Sequence, residues 1–293
     1  MHDATPAPIV LGDITIHRIV EQEAPLFEVA QFFPALTAEM YAPHRHWMEP
    51  RHFTPDGRVV LCIQSYVVKT RSHTIMVDTC VGNHKERVNR PFWHRLDSDR
   101  YERNLAAAGF AVGDIDYVMC THLHGDHVGW NTRLEDGRWV PTFPRAKYLF
   151  AGAELAHWTG KHAADPAALP WITDSVLPII AANRAEVITS DHRLGDHVGL
   201  IPTPGHSIDH FSVEVGQGGA IITGDAIHSP IQTRYPDIGM FSDFNAKQGA
   251  ESRRKLLERC CDTPTLLCTA HFAQPSVGTI VRAGDAFAFQ ERV

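Results

Sequence analysis

The chain holds no apolar run of about 18 residues or more, which excludes a membrane-spanning helix. Its start, Met1-His2-Asp3-Ala4-Thr5-Pro6, has no basic stretch leading into an apolar core, so a secretory leader is not expected. The six cysteines, at 62, 80, 120, 260, 261 and 268, form no C-x-x-C pair, and several lie in apolar runs. They read as reduced, buried thiols of a cytoplasmic protein, and a cysteine-based zinc site or nucleophile is not expected. There is no linker, repeat or low-complexity segment, so 1–293 reads as one domain. Positive charge is not in excess: the net charge is −7, which argues against a nucleic-acid partner.

The balance is that of an ordinary globular protein, 44% hydrophobic and 21% charged over 293 residues, enough to bury a large core. Histidine is unusually abundant, at 19 residues. Three of them fall in Thr121-His122-Leu123-His124-Gly125-Asp126-His127, directly after the apolar run Ile115-Asp116-Tyr117-Val118-Met119-Cys120, which reads as a buried strand. Imidazole nitrogen and carboxylate oxygen in this density suit a divalent ion of the zinc type. Gly125 is expected to turn the backbone, so that His122 and His124 point one way and Asp126 and His127 another. Such a split would serve two metals. The further ligands come from the same grammar of strand, tight turn and ligand. His206 follows Val198–Ile201, Asp225 follows Ala220–Ile222, and His271 follows Leu266–Cys268. Together these are five His and two Asp, enough for two metals with three protein ligands each and one shared Asp.

In this order, H-x-H-x-D-H then His, Asp and His, the chain resembles the metallo-β-lactamase-fold metallohydrolases over nearly its whole length. The resemblance implies an α/β fold, an αββα sandwich of two mixed β-sheets flanked by helices. It implies that His122, His124 and His206 hold one metal, that Asp126, His127 and His271 hold the second, and that Asp225 bridges. It also makes Asp78, at the end of Thr74–Val77, a partner that orients a metal ligand, a role that would compensate a carboxylate ending an apolar strand.

Along the chain, Ile9–Val20 alternates as an opening strand. Residues 24–55 carry Phe27, Phe32, Phe33, Tyr41, Trp47 and Phe53 among prolines at 25, 34, 43, 50 and 55, and cannot be one long regular element. This aromatic arm is expected to cover the active site or to contact a second subunit, which allows a homodimer. Residues 60–69 and 74–79 read as a hairpin. The loop 80–97, with Lys85, Arg87 and Trp93, reads equally as a pocket wall or a surface loop. A helix capped by Asp97 or Ser98 is expected to run to Ala108, with a stripe of Tyr101, Leu105 and Ala108. Residues 147–150 form a strand. Helices are expected over 151–158, 174–182 and 247–261, with Pro166 and Pro170 breaking the stretch between the first two. Strands are expected at 186–189, 198–201, 211–215, 220–223 and 265–269.

Two divalent ions, zinc first with manganese, iron or cobalt as alternatives, would generate a bridging hydroxide for direct hydrolysis. Asp126, Asp225 and His228 are the residues expected to act in catalysis. His228 stands three residues after Asp225, where acyl-homoserine lactonases of this fold carry a Tyr. The segment Gly224–His228, with Ala270-His271-Phe272, is more similar to the methyl parathion hydrolase branch. His228 is thus a general acid or a pocket wall, and His210 a supporting or packing residue rather than a ligand. The expected substrates are lactones of the acyl-homoserine type or related carboxylic esters. Aryl phosphotriester hydrolysis or promiscuous arylesterase activity is the alternative, and a non-enzymatic metal-binding protein a distant one. Exported β-lactamases, glyoxalase II-like thioesterases with their helical C-terminal domain, and the basic nucleases of the fold fit the chain less well.

Overall fold

The computed structural model describes residues 7–292. They divide into two compact units, one of residues 7–21 and 63–189, the other of 22–62 and 190–292. In the first lies a sheet built from β1 (Ile9–Leu11), β2 (Ile14–Glu28), β3 (Arg58–Lys69), β4 (Thr74–Val77), β5 (Tyr117–Met119), β8 (Lys147–Ala151) and β9 (Ala185–Ile188), in the order β1-β2-β3-β4-β5-β8-β9. The chain changes unit within β2, after Glu21, and within β3, after Cys62. A small hairpin, β6 (Thr132–Glu135) and β7 (Arg138–Pro141), turns at Asp136-Gly137. β3 and β4 are antiparallel, while β4, β5, β8 and β9 are parallel. Parallel strands are covered on both faces, which is why β4 from Ile75 onward and β5 run apolar rather than alternating.

The register of β4 and β5 matters most. Val77 pairs with Met119, so the chain leaves both strands side by side. Asp78 therefore emerges next to Thr121-His122. The second unit repeats the device in a sheet of β10 (Arg193–Leu194), β11 (Val198–Pro202), β12 (Phe211–Val215), β13 (Ala220–Ile222), β14 (Leu266–Cys268), β15 (Val277–Ala283) and β16 (Ala286–Glu291), ordered as numbered. Its one parallel pair is β13 with β14, and Ile222 is paired with Cys268. Asp225 and His271 thus leave neighbouring strand ends. Ile221, Ile227, Leu256, Leu257, Leu267, Phe272, Ile280 and Phe287 belong to one apolar core cluster of this unit. The helix Ala246–Cys260 meets it with Leu256, Leu257 and Cys260, while Gly249, Ala250 and Arg253 continue the same buried stripe at helical spacing.

Several boundaries differ from the sequence expectation. β2 continues past Val20 to Glu28 and so through Pro25. β1 pairs only with residues 14–16, so Pro25 lies beyond it, where a missing N–H is tolerated. After Glu28 the arm is indeed broken, into four-residue helices at Val29–Phe32, Ala38–Tyr41 and Arg45–Met48. Its rings at Phe27, Phe32, Phe33 and Phe53 are buried. The helix Arg100–Ala107 buries Tyr101 and Leu105, and Ala108 is its C-cap rather than part of the stripe. The helix Gly152–Ala164 outruns its expected end. The expected helix 174–182 is two, Pro170–Ser175 and Leu177–Ala181, because Pro170 and Pro178 each sit in a first turn, where proline is tolerated. The hairpin β15–β16 after His271 was not anticipated. Among the described residues no helix is long and apolar enough to cross a membrane.

Candidate functional site

In the first unit the chain turns out of β5 into Thr121–His127. Asp78 receives it. Thr121 N–H donates to Asp78 Oδ1 at 2.8 Å, and the Thr121 hydroxyl to Oδ2 at 2.9 Å. His127 Nδ1–H donates to the same Oδ2 at 2.9 Å. His122 Nδ1 lies 3.1 Å from the Thr121 hydroxyl oxygen. Since that hydroxyl already gives its proton to Asp78, it accepts from His122 Nδ1–H. One carboxylate therefore sets the tautomer of two histidines, leaving Nε2 of each as the ligand atom. The rings of His122 and His124 stand 4.6 Å apart, and those of His122 and His127 4.1 Å. Asp126 Oδ2 is 3.8 Å from His127 Nε2.

The residue between His122 and His124 is pinned at both ends. Leu123 N–H donates to the buried Glu154 Oε1 at 3.1 Å, and the Leu123 carbonyl accepts from Trp171 Nε1 at 2.8 Å. Gly125 lies in the turn expected of it, which His127 N–H closes on the His124 carbonyl at 3.1 Å, and its backbone is outside the left-handed region. A Cβ there would touch Arg87 and Trp171 at 3.5 Å, ordinary contact distance.

In the second unit Asp225 stands between two histidines. Its Oδ2 is 3.2 Å from His206 Nε2, and its Oδ1 is 3.0 Å from His271 Nε2. Each ring is held from behind. His206 Nδ1–H donates to Asp243 Oδ1 at 2.8 Å, and His271 Nδ1–H to the Cys62 carbonyl at 3.0 Å. His228 Nε2 lies 3.0 Å from Asp225 Oδ2, and its ring stacks on His271 at 5.6 Å. The arm reaches this group: the Phe32 ring is 5.8 Å from that of His228. His210 is placed as a support, accepting Asp225 N–H on Nε2 at 2.9 Å with Nδ1 on Thr203 Oγ1 at 2.8 Å.

The loop carrying His206 requires glycine just before it. Gly205 has φ +130°, and a Cβ on it would lie 2.0 Å from Gly249 N, inside the helix Ala246–Cys260. Asn245 N–H donates to the Gly205 carbonyl, Phe244 N–H to that of His206, and Ser252 Oγ to that of Pro204.

The charges divide the imidazoles. Burial opposes a charge on His206, but Asp225 and then Asp243 outweigh it, and its pKa is raised to about 9. Burial also opposes the ionised Asp243, yet His206 beside it lowers its pKa. At His228 burial prevails over Asp225 and lowers the pKa to about 4. His228 is thus neutral near pH 7, and it donates Nε2–H to Asp225.

Glu154 and Asp243 escaped the sequence reading. Glu154 looks like an ordinary acid in a helix first turn. Asp243 sits in an irregular stretch 37 residues from His206. The loop 80–97 is also no simple surface loop. Lys85 and Arg87 are buried, Arg87 bidentate on Asp174 at 2.7 and 3.0 Å, and Lys85 on Thr132 Oγ1 at 2.6 Å.

A family model described as the metallo-beta-lactamase superfamily matches residues 62–271. An N-acyl homoserine lactonase of Bacillus cereus is 24% identical over 218 residues, 70% of this chain and 79% of that one. Among solved structures, AidC, a dizinc quorum-quenching lactonase in complex with a product, is similar with a TM-score of 0.81 at 20% identity, covering 98% of this chain and 97% of that one. The hydrolase AbOPH of the beta lactamase superfamily is similar with a TM-score of 0.81 at 21% identity, covering 100% and 99%.

Proposed function

Because this chain belongs to the metallo-beta-lactamase superfamily, we propose that it is a metal-dependent hydrolase that opens lactones of the acyl-homoserine type and related carboxylic esters. The observation that carries the reading is Asp225. Its two oxygens each face the Nε2 of a different buried histidine, and each of those rings is fixed through Nδ1. That is the chemistry of a carboxylate shared by two cations, since each Nε2 would offer its lone pair to a cation beside one carboxylate oxygen, His206 giving up its proton as the ion binds. The similarity to lactonases supports the substrate class.

The donor set fits two divalent ions. His122, His124 and His206 would hold one, Asp126, His127 and His271 the other, and Asp225 would serve both. Zinc is the first candidate, and the imidazole and carboxylate ligands also accept manganese, iron or cobalt. Such ions supply Lewis acidity and a nucleophile at neutral pH, by lowering the pKa of water to about 7. The side chains do the rest. Asp78 and Asp243 hold His127, His122 and His206 in the tautomer that presents Nε2. His228 is a neutral hydrogen-bond donor on Asp225 Oδ2. In this reading it gives an N–H to negative charge developing on a substrate oxygen, a role that its low pKa and its contact with Asp225 support over that of a charged acid.

The test is turnover of a panel of lactones, aryl esters and an aryl phosphotriester by zinc- and manganese-loaded protein, with Asp225→Asn as control. Lactone opening that disappears in Asp225→Asn supports the reading. Turnover of the phosphotriester alone would replace it with the phosphotriesterase alternative, and bound metal with no hydrolysis at all with a metal-binding role.

A further inference from the structure

Arg253 is the largest fully buried side chain among the described residues. Among the described residues no carboxylate is within ion-pair distance of it, and Asp243 and Asp237 favour its charge only from farther off. Its donors go to three carbonyls of one loop: Nε to Ala226 at 2.9 Å, Nη1 to Pro236 at 2.6 Å and to Ile238 at 2.9 Å. A buried cation without a hydrogen-bonded counter-charge is an expensive way to fill a core that an apolar side chain would fill as well. The arrangement has to be read from what the three carbonyls control.

The loop 226–238 begins one residue after Asp225 and carries His228. The Ile238 carbonyl accepts a second donor, Gln232 Nε2 at 2.8 Å, and Gln232 Oε1 accepts His228 N–H at 2.7 Å. Two struts therefore meet at one oxygen, one from Arg253 and one ending on the backbone of His228. A third runs from Arg253 to the carbonyl next to Asp225. The same helix serves His206. Gly249 abuts Gly205, Ser252 Oγ donates to the Pro204 carbonyl at 2.6 Å, and Arg253 follows. Residues 249, 252 and 253 are one helix face. That face indexes the backbones beside His206, Asp225 and His228 to a single rigid element.

We propose that Arg253 is a positioning residue: by clamping the carbonyls of Ala226 and Ile238 it sets Asp225 and His228 in place relative to His206. The proposal rests on the reading of Asp225 and His206 as metal ligands, and it reaches beyond that reading to a side chain that touches neither substrate nor ion. A planar fork can hold carbonyls diverging from one point; an ammonium of equal charge cannot hold the same three.

The experiment compares wild type, Arg253→Lys and Gln232→Glu, which keeps the acceptor for His228 N–H and loses the donor to Ile238. Three readouts are taken on folded protein: metal affinity by chelator competition, the visible spectrum of the cobalt-loaded form, and amide exchange across 226–238 in metal-free protein. Supporting partners of ligands typically set affinity by about 10- to 100-fold. The expected result for Arg253→Lys is a loss in that range, a changed cobalt spectrum, about tenfold faster exchange at 226–238, and kcat reduced with KM within about twofold. Gln232→Glu should shift the spectrum and the exchange in the same direction. An Arg253→Lys protein of lower melting temperature with wild-type spectrum, affinity and loop exchange overturns the proposal, because Arg253 would then only fill the core. If wild type itself takes up no cobalt, the functional reading has failed, and loop exchange decides the positioning role alone: unchanged protection overturns it.

Discussion

Asp78→Asn separates the two tasks of one carboxylate. Asp78 closes β4 with φ 58°, in the left-handed region that asparagine enters with little strain, so the variant should fold. The carboxylate accepts three donors: Thr121 N–H at 2.8 Å, the Thr121 hydroxyl at 2.9 Å and His127 Nδ1–H at 2.9 Å. An amide has one oxygen to offer. If that oxygen faces Thr121 N–H, the NH2 faces the hydroxyl and His127. The hydroxyl can rotate, but His127 must move its proton to Nε2, which removes the lone pair a metal needs. If the amide is reversed, His127 is kept and the buried Thr121 N–H loses its acceptor, at a cost of about 1–3 kcal/mol. The first arrangement should weaken zinc binding by about 10- to 100-fold, or roughly 1.4–2.7 kcal/mol. The assay is zinc affinity by competition with a chromophoric chelator, together with the melting temperature of the metal-free protein. One of the two must fall. A variant with wild-type zinc affinity and wild-type metal-free stability would refute the assignment of Asp78 as the group that holds His127.

Three further outcomes follow from other parts of the fold. Burial lowers Lys85 from 10.5 to about 7, opposed by Asp174 and reinforced by Arg87. The folded chain therefore gives up this proton before the unfolded one does, and stability rises with pH between those values. The cost of Lys85 should be about 2 kcal/mol smaller at pH 8.5 than at pH 6. Urea titrations of wild type against Lys85→Met should show that difference in slope, and parallel curves would sink it. Gly205→Ala places a Cβ against Gly249 N and should cost at least ~3 kcal/mol, whereas Gly249→Ala meets only contacts of 3.5 Å and longer and should be neutral or stabilising by up to about 1 kcal/mol. Equal melting temperatures for the two variants would contradict the packing described. Dialysis against a chelator should abolish ester turnover and lower the melting temperature, with zinc restoring about 2.7 kcal/mol at a hundredfold excess over its Kd. A melting temperature indifferent to metal would count against ligands that are buried and ready.

The ligand pattern was legible because every part of it is local. An apolar run marks each buried strand, a tight turn ends it, and the His or Asp stands within a few residues. Asp78 was legible for the same reason, being a carboxylate at the end of an apolar strand. Boundaries were read less well where proline has two meanings. Pro170 looked like a breaker and in fact starts a short helix, Pro178 was read inside one helix and starts a second, and Pro25 sits inside β2. Gly125 looked like a turn and lies in one; Gly205, which is required by a backbone contact, gave no such sign.

Composition and spacing alone thus determined the family resemblance, the seven candidate ligands and the strand-to-turn positions that carry them. Tertiary structure alone decided what holds those ligands. Asp243 reaches His206 across 37 residues, Glu154 reaches Leu123 across 31, and the Cys62 carbonyl reaches His271 across 209. No periodicity records such partners. A hydrogen bond needs only that two groups arrive at 3 Å, and which distant groups arrive is settled by the register of parallel strands and the packing of one helix, not by any pattern in the residues themselves.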